Sequence, residues 1–181
     1  APPSMLVTYG SPYGTLATTS RTGYTFAGWW TQPVSGGSQV TDLTTVGTAA
    51  NHTLYARWTA HQWTVSFDAQ GGSTADAISV TFGQPYDYQS PLPSTFRPGY
   101  TFDGWWTIPG DLGGSQVTDA TIVTTNSDHT LYARWTAHQW TVWFDAQGGS
   151  PSGSITVTFG LPYGYPDRKS TRLNSSHRIR Y

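Results

Sequence analysis

The sequence predicts a mainly β protein, α+β at most, assembled from small modules in tandem. Residues 52–73, HTLYARWTAHQWTVSFDAQGGS, recur at 129–150, 77 positions later, with one change, Ser66 to Trp143. Self-similarity at a fixed spacing marks an array of units rather than one continuous core. The composition agrees. Fifteen per cent aromatic residues with 20 Gly and 12 Pro suit short strands between turns, and a chain with no Glu and one Lys has little from which to build long helices. The repeat divides the chain into a truncated unit at 5–60 that lacks its opening strand, a complete unit at 63–137, the opening hairpin of a third at 140–166, and a tail at 167–181.

Taken in order, Met5, Val7 and Tyr9 alternate with Leu6 and Thr8 and align with Ile78, Val80, Phe82 and with Ile155, Val157, Phe159. Period two predicts a strand with one buried face at each place. Arg21 to Trp30 and Arg97 to Trp106 form the next matched pair, with Gly28 and Gly104 where a β-bulge is the usual reason for a strand glycine. Such a bulge decides which ring of Trp29-Trp30 and of Trp105-Trp106 points inward, and the sequence leaves that parity open. A Gly-Gly turn, a short segment around Val40 or Val117 and a Thr-rich connection lead to the closing strand, in which Leu54, Ala56 and Trp58 share a face.

Thr59-Ala60-His61-Gln62 reads as a four-residue linker, short enough and free of Gly and Pro, so neighbouring units are expected at a restricted angle. Trp63, Val65 and Phe67 then face one way and Thr64, Ser66 and Asp68 the other. Asp68-Ala69-Gln70-Gly71-Gly72 is turn chemistry that joins this strand to the next in a hairpin. The third unit, ending near Pro166, is shorter than the about 40 residues at which chains normally fold alone.

Residues 167–181 share nothing with the repeat and look like translated adaptor or vector sequence; a basic tail is the other reading, and either predicts an unstructured segment. The tail carries five cations against Asp167, whereas residues 1–166 hold four Arg against nine Asp. The repeat body is thus mildly acidic and offers no basic face for nucleic acid. With no Cys there are no disulfides or thiolate metal sites, and no apolar run reaches the about 20 residues of a membrane span. Lys is absent from 1–166, so Lys-to-Asn isopeptide crosslinks cannot stiffen the body.

Three motifs in fixed order, Gly23-Tyr24-Thr25-Phe26-Ala27-Gly28-Trp29, Leu54-Tyr55-Ala56-Arg57-Trp58 and Val65-Ser66-Phe67-Asp68-Ala69-Gln70-Gly71-Gly72, resemble the Listeria-Bacteroides repeat family, also known as the internalin B B-repeat. The resemblance covers residues 5–166 and implies small β-grasp-like units in tandem on large bacterial surface proteins, serving as stalk, adhesion or partner-contact modules without catalysis. It places the protein outside the cell or on the cell wall, with export signal and anchor beyond this stretch. Two departures stand out. Gln70 and Gln147 replace the family's frequent Asn, which leaves the glycines to supply left-handed residues, and Trp30 and Trp106 replace a frequent Tyr.

Candidate chemistry is sparse. His52, His61 and Asp68 recur as His129, His138 and Asp145 at the repeat period, which is repeat grammar rather than a convergent triad. Carboxylates are scattered, with no calcium loop or His-x-x-x-His pair, so no metal or cofactor is expected. The candidate contact residues are Trp29, Trp30, Trp105, Trp106 and Trp143, flat rings suited to a host or cell-wall glycan or a surface protein. The adjacent pairs are expected mainly in the core, whereas Trp143 lies on the face with Thr141 and Asp145 and is the best candidate for an exposed ring. The broken ends suggest strand exchange between copies.

Overall fold

The computed structural model describes residues 4–150 and 152–164 and shows a mainly β repeat fold. The tail at 167–181 and the boundary near Pro166 lie outside the described residues.

The first unit holds β1 (Tyr24–Trp30), β2 (Gln39–Val40) and β3 (Tyr55–Ala60) in one antiparallel sheet of order β2-β1-β3. The middle unit holds β4 (Gln62–Asp68), β5 (Ile78–Thr81), β6 (Tyr100–Trp106), β7 (Gln116–Val117) and β8 (His129–Ala137) in the order β5-β4-β8-β6-β7. Its central pair, β4 with β8, is parallel, and every other pairing in the sheet is antiparallel. A 3-10 turn at Tyr86–Tyr88 is the one helical element among the described residues. A hairpin of β9 (Gln139–Trp143) and β10 (Ser154–Thr158) follows.

The alternation that predicted β4 holds in space. Val65 is fully buried between the half-buried Trp63 and Phe67, while Thr64 and Ser66 are exposed. With Val80, Tyr86, Trp105, Val117, Val123, Leu131 and Ala133, Val65 forms the core of the middle unit. Phe67 and Trp105 lie 4.6 Å apart between centroids, and Phe102 packs at 5.3 Å from both Trp105 and Trp135.

The register of β6 on β8 slips between Phe102 and Trp105, and that of β1 on β3 between Phe26 and Gly28. Gly28 and Gly104 have φ of 107° and 95°, conformations that L side chains rarely adopt. Without the extra residue, alternation would set Gly104 and Trp106 beside Phe102. The bulge reverses that parity and turns Trp105 inward instead.

Three expectations need correction. Residues 5–8 form no strand, and Met5, Leu6 and Tyr9 are exposed. Their equivalent β5 is held by β4, and no strand takes β4's position in the first unit among the described residues. For the same reason β3 begins at Tyr55, whereas β8 begins at His129, the equivalent of His52, because Val65 to Asp68 pair with His129 to Tyr132. The four-residue linker shrinks to His61, since β3 runs through Ala60 and β4 starts at Gln62. Finally, the glycines are not alone in the left-handed region: Gln70 and Gln147 have φ of 48° and 46°. Asp68 Oδ1 accepts from Gln70 N–H at 2.9 Å and Asp145 Oδ1 from Gln147 N–H at 2.9 Å, and these bonds hold the turns in that shape.

Candidate functional site

Two features of the surface bear on function: the joint between successive units and the distribution of aromatic rings. At the first joint the peptide of His61 is bonded to both sides. Its N–H donates to Gly23 O in the first unit, and its C=O accepts from Phe82 N–H in the second, each at 2.9 Å. Around this peptide, Tyr24 meets Phe82 edge-on at 5.7 Å, His61 Nε2 contacts Thr25 Oγ1 at 3.1 Å, and the Arg21 guanidinium lies 3.8 Å over the Tyr24 ring. Gly23 lets the Phe82 ring come close, for a Cβ there would lie 2.2 Å from it.

The second joint repeats this arrangement. His138 N–H donates to Gly99 O and Phe159 N–H to His138 O, again at 2.9 Å. Tyr100 meets Phe159 at 5.5 Å, His138 Nε2 contacts Thr101 Oγ1 at 3.2 Å, and Arg97 lies 3.9 Å over Tyr100. Sequence reasoning missed these contacts. The signal was present in Gly23-Tyr24 and Phe82-Gly83, which return as Gly99-Tyr100 and Phe159-Gly160 beside each linker histidine.

The predicted contact tryptophans are not brought together. Trp105 is 2% exposed, and its indole N–H donates to Pro93 O at 2.7 Å, so the structure removes it from any ligand face. Trp29 makes the same bond to Ala17 O at 2.8 Å and is half-buried. Trp30 and Trp106, on the opposite face, are covered by Arg57 and Arg134, whose guanidinium carbons stand 4.0 and 3.7 Å over the rings. Each Arg also donates to a carbonyl of the Gly-Gly turn, Gly36 O or Gly113 O, and so pins that turn over its tryptophan. Trp143 is different: it is 78% exposed.

The polar side chains that recur are engaged in local structure. Asp128 Oδ1 accepts from Thr64 N–H at 2.7 Å and ties β4 to the start of β8. His129 Nδ1 faces Ser127 O at 3.0 Å, which can only accept, so Nδ1 carries the proton and Nε2 accepts from the Tyr86 hydroxyl at 2.8 Å. Burial raises the pKa of Tyr86 above its ordinary value. Among the described residues no group of three or more His, Cys, Asp or Glu is placed to hold a metal, and no helix is long and apolar enough to cross a membrane.

A groove of about 830 Å³ opens in the first unit, with Val7, Tyr13, Trp29, Val46, His52 and Leu54 among its walls. The equivalent residues of the middle unit are the core residues Val80, Tyr86, Trp105, Val123 and Leu131 together with His129.

Comparison with known proteins gives a consistent result. Residues 2–57 and 63–134 match the family model of the Listeria-Bacteroides repeat domain. The chain is 29% identical over 140 residues to a "Putative membrane protein" of Evansella cellulosilytica, covering 77% of the chain and 20% of the relative. It is 31% identical over 149 residues to a "Putative Gly-rich membrane protein" of the same organism, covering 78% and 17%. Internalin H of Listeria monocytogenes is 33% identical over 120 residues, 65% of the chain and 20% of that protein. The chain therefore spans a fifth or less of the length of these relatives. No solved structure matches.

Proposed function

The chain belongs to the Listeria-Bacteroides repeat domain family, and on that premise we propose that it is a non-catalytic repeat segment of a bacterial cell-surface protein, working as a stalk or spacer outside the cell or on its wall. The observation that carries this reading is the duplicated joint. A spacer must hold successive modules in a set relation, and each linker histidine donates to one unit and accepts from the next with matching distances at both junctions. An edge-on aromatic pair worth about 0.5 to 1.5 kcal/mol stiffens each junction further. The sheet order, with a parallel central pair between antiparallel hairpins, supports a β-grasp-like reading of the unit. The relatives, named as two membrane proteins and an internalin, support the compartment.

Since the chain has no Cys, spin labels can be placed cleanly at the exposed Val34→Cys and Leu112→Cys, one per unit. Pulsed dipolar spectroscopy should give one narrow distance distribution that broadens in Tyr24→Ala. An equally broad distribution with Tyr24 intact would rule out a spacer of set geometry.

A second reading, an adhesin module that binds glycan or protein, is favoured by one observation, the 78% exposure of Trp143. Because Ser66 at the same place on β4 also faces solvent, this ring would stay exposed in a completed unit. Titration with host or cell-wall glycans, followed by tryptophan fluorescence, should show saturable quenching that Trp143→Ser abolishes; no quenching removes this reading.

A further inference from the structure

We propose that the middle unit is a mechanical clamp, in which β4 and β8 resist tension drawn along the chain by being strained in shear. The proposal rests on the stalk reading and adds what such a stalk withstands. Tension on a tandem array enters a unit at its first strand and leaves at its last. Here those strands are β4 and β8, and they are neighbours in the sheet. They run parallel, so Gln62 and Ala137 lie at opposite ends of the pair. Drawing these ends apart slides one strand along the other and strains all the paired positions together. In an antiparallel pair, the arrangement of every other pairing in this sheet, both ends would lie together and tension would part the rungs one at a time.

Five successive ties cross this interface. Val65, Ser66, Phe67 and Asp68 pair with His129, Thr130, Leu131 and Tyr132, and just ahead of them Asp128 Oδ1 accepts from Thr64 N–H at 2.7 Å. Just beyond them the Trp135 indole donates to Ala69 O at 2.9 Å. A sliding strand must also leave the core, because Val65 and Leu131 are 0% and 1% exposed and the Phe67 ring lies 4.6 Å from that of Trp105. A slip of one residue turns that whole apolar set to the other face, so no small displacement restores the pairing. Both strands are braced on their outer edges, β4 by β5 from Gln62 to Val65 and β8 by β6 from Tyr132 to Ala137.

The path into and out of the clamp has little slack. β3 ends at Ala60 and β4 begins at Gln62, while β8 ends at Ala137 and β9 begins at Gln139, so a single histidine joins strand to strand at each place. The stretch that recurs with one change follows this same path: 52–73 and 129–150 each hold the strand that leaves one unit, the joint histidine and the strand that enters the next. Off the path the units diverge. Residues 31–37 and 107–114, the approach to the Gly-Gly turn, differ in both length and sequence. Segments between β4 and β8 are shielded from tension until that pair parts, and a change in them leaves the clamp intact. Near-identity is thus concentrated where the tension runs.

Single-molecule force spectroscopy on the full chain tests the dependence on direction. Handles at the exposed Gln62→Cys and Gln139→Cys strain β4 against β8 in shear, whereas handles at Gln62→Cys and the exposed Ser127→Cys lie at one end of the pair and peel it. Forced unfolding reads the unfolding rate rather than equilibrium stability, so a difference between the two directions reports the clamp itself. At equal pulling rate the shear arrangement should need a higher force, about fivefold if the five ties share the load evenly and about twofold if they do not. The 76 residues 62–137 span about 36 Å along the strands when folded and about 250 to 270 Å when extended, so one shear event should lengthen the tether by about 210 to 240 Å. Equal forces in the two arrangements, a higher force for peeling, or lengthening in several smaller steps would overturn the clamp and leave the spacer reading standing on its spin-label distance. A broad label distribution beside a direction-dependent force would do the reverse.

Discussion

Trp29 and Trp105 occupy the same place in their units, follow the same bulge and make the same indole bond, yet replacing each with Ala should have unequal effects. Trp105 is 2% exposed and touches Phe67 and Phe102, so Trp105→Ala removes a filled volume at the centre of a closed core. Large-to-small changes of this kind cost about 3 to 5 kcal/mol, and the loss includes the bond to Pro93 O. Trp29 meets Phe26 at 5.5 Å but otherwise borders the open groove, so part of its surface is already in water. With less area to lose, Trp29→Ala should cost about 1 to 2 kcal/mol. Native-state hydrogen exchange can read both, because the peptides from β3 and β8 separate by mass through their flanking residues. Protection of β8 should fall roughly a hundredfold to a few thousandfold in Trp105→Ala, and that of β3 by about thirtyfold or less in Trp29→Ala. Equal losses at the two sites, or a loss under about tenfold in β8, would refute the view that β4 closes the middle core and that no strand among the described residues closes the first in the same way.

Other outcomes follow from particular contacts. Gly23→Ala sets a Cβ 2.2 Å from the Phe82 ring at a φ of 79°, so the first joint must open, and the Val34 to Leu112 label distance should broaden while exchange protection of β8 is retained. Tyr86 has a pKa raised by burial, so the unfolded state loses its proton first as pH rises. Its contribution is complete below the ordinary tyrosine range and is lost as pH climbs through the higher folded value; alkaline unfolding followed by fluorescence should show this, and Tyr86→Phe should remove that component of the slope. Trp143→Ser restores the residue found in the earlier copy and should leave thermal stability unchanged within about 0.5 kcal/mol, as measured by calorimetry.

What the sequence could reveal depended on whether the deciding interaction was local. The face of β4 was readable because alternation is a property of one strand, and the glycine in each Tyr-Thr-Phe-x-Gly-Trp-Trp run gave away the bulge, since its φ near 100° excludes other residues. The inward tryptophan was not readable. Parity beyond a bulge depends on which partner residue is skipped, and only the register of β6 against β8 records that. The loss of a strand at residues 5–8 was hidden for a related reason: those residues have the same alternation as Ile78 to Phe82, but alternation states only that a strand can bury one face. Whether it forms depends on a neighbour offering its edge, and in the middle unit that neighbour is β4. The same dependence explains why β8 is three residues longer than β3 although both derive from one repeated sequence, HTLYARWTA. The first three of those residues are extended by β4 rather than by their own propensity. Identical sequence thus yields different structure where the partner differs, and at His52, Thr53 and Leu54 no strand among the described residues plays the part that β4 plays for His129, Thr130 and Leu131.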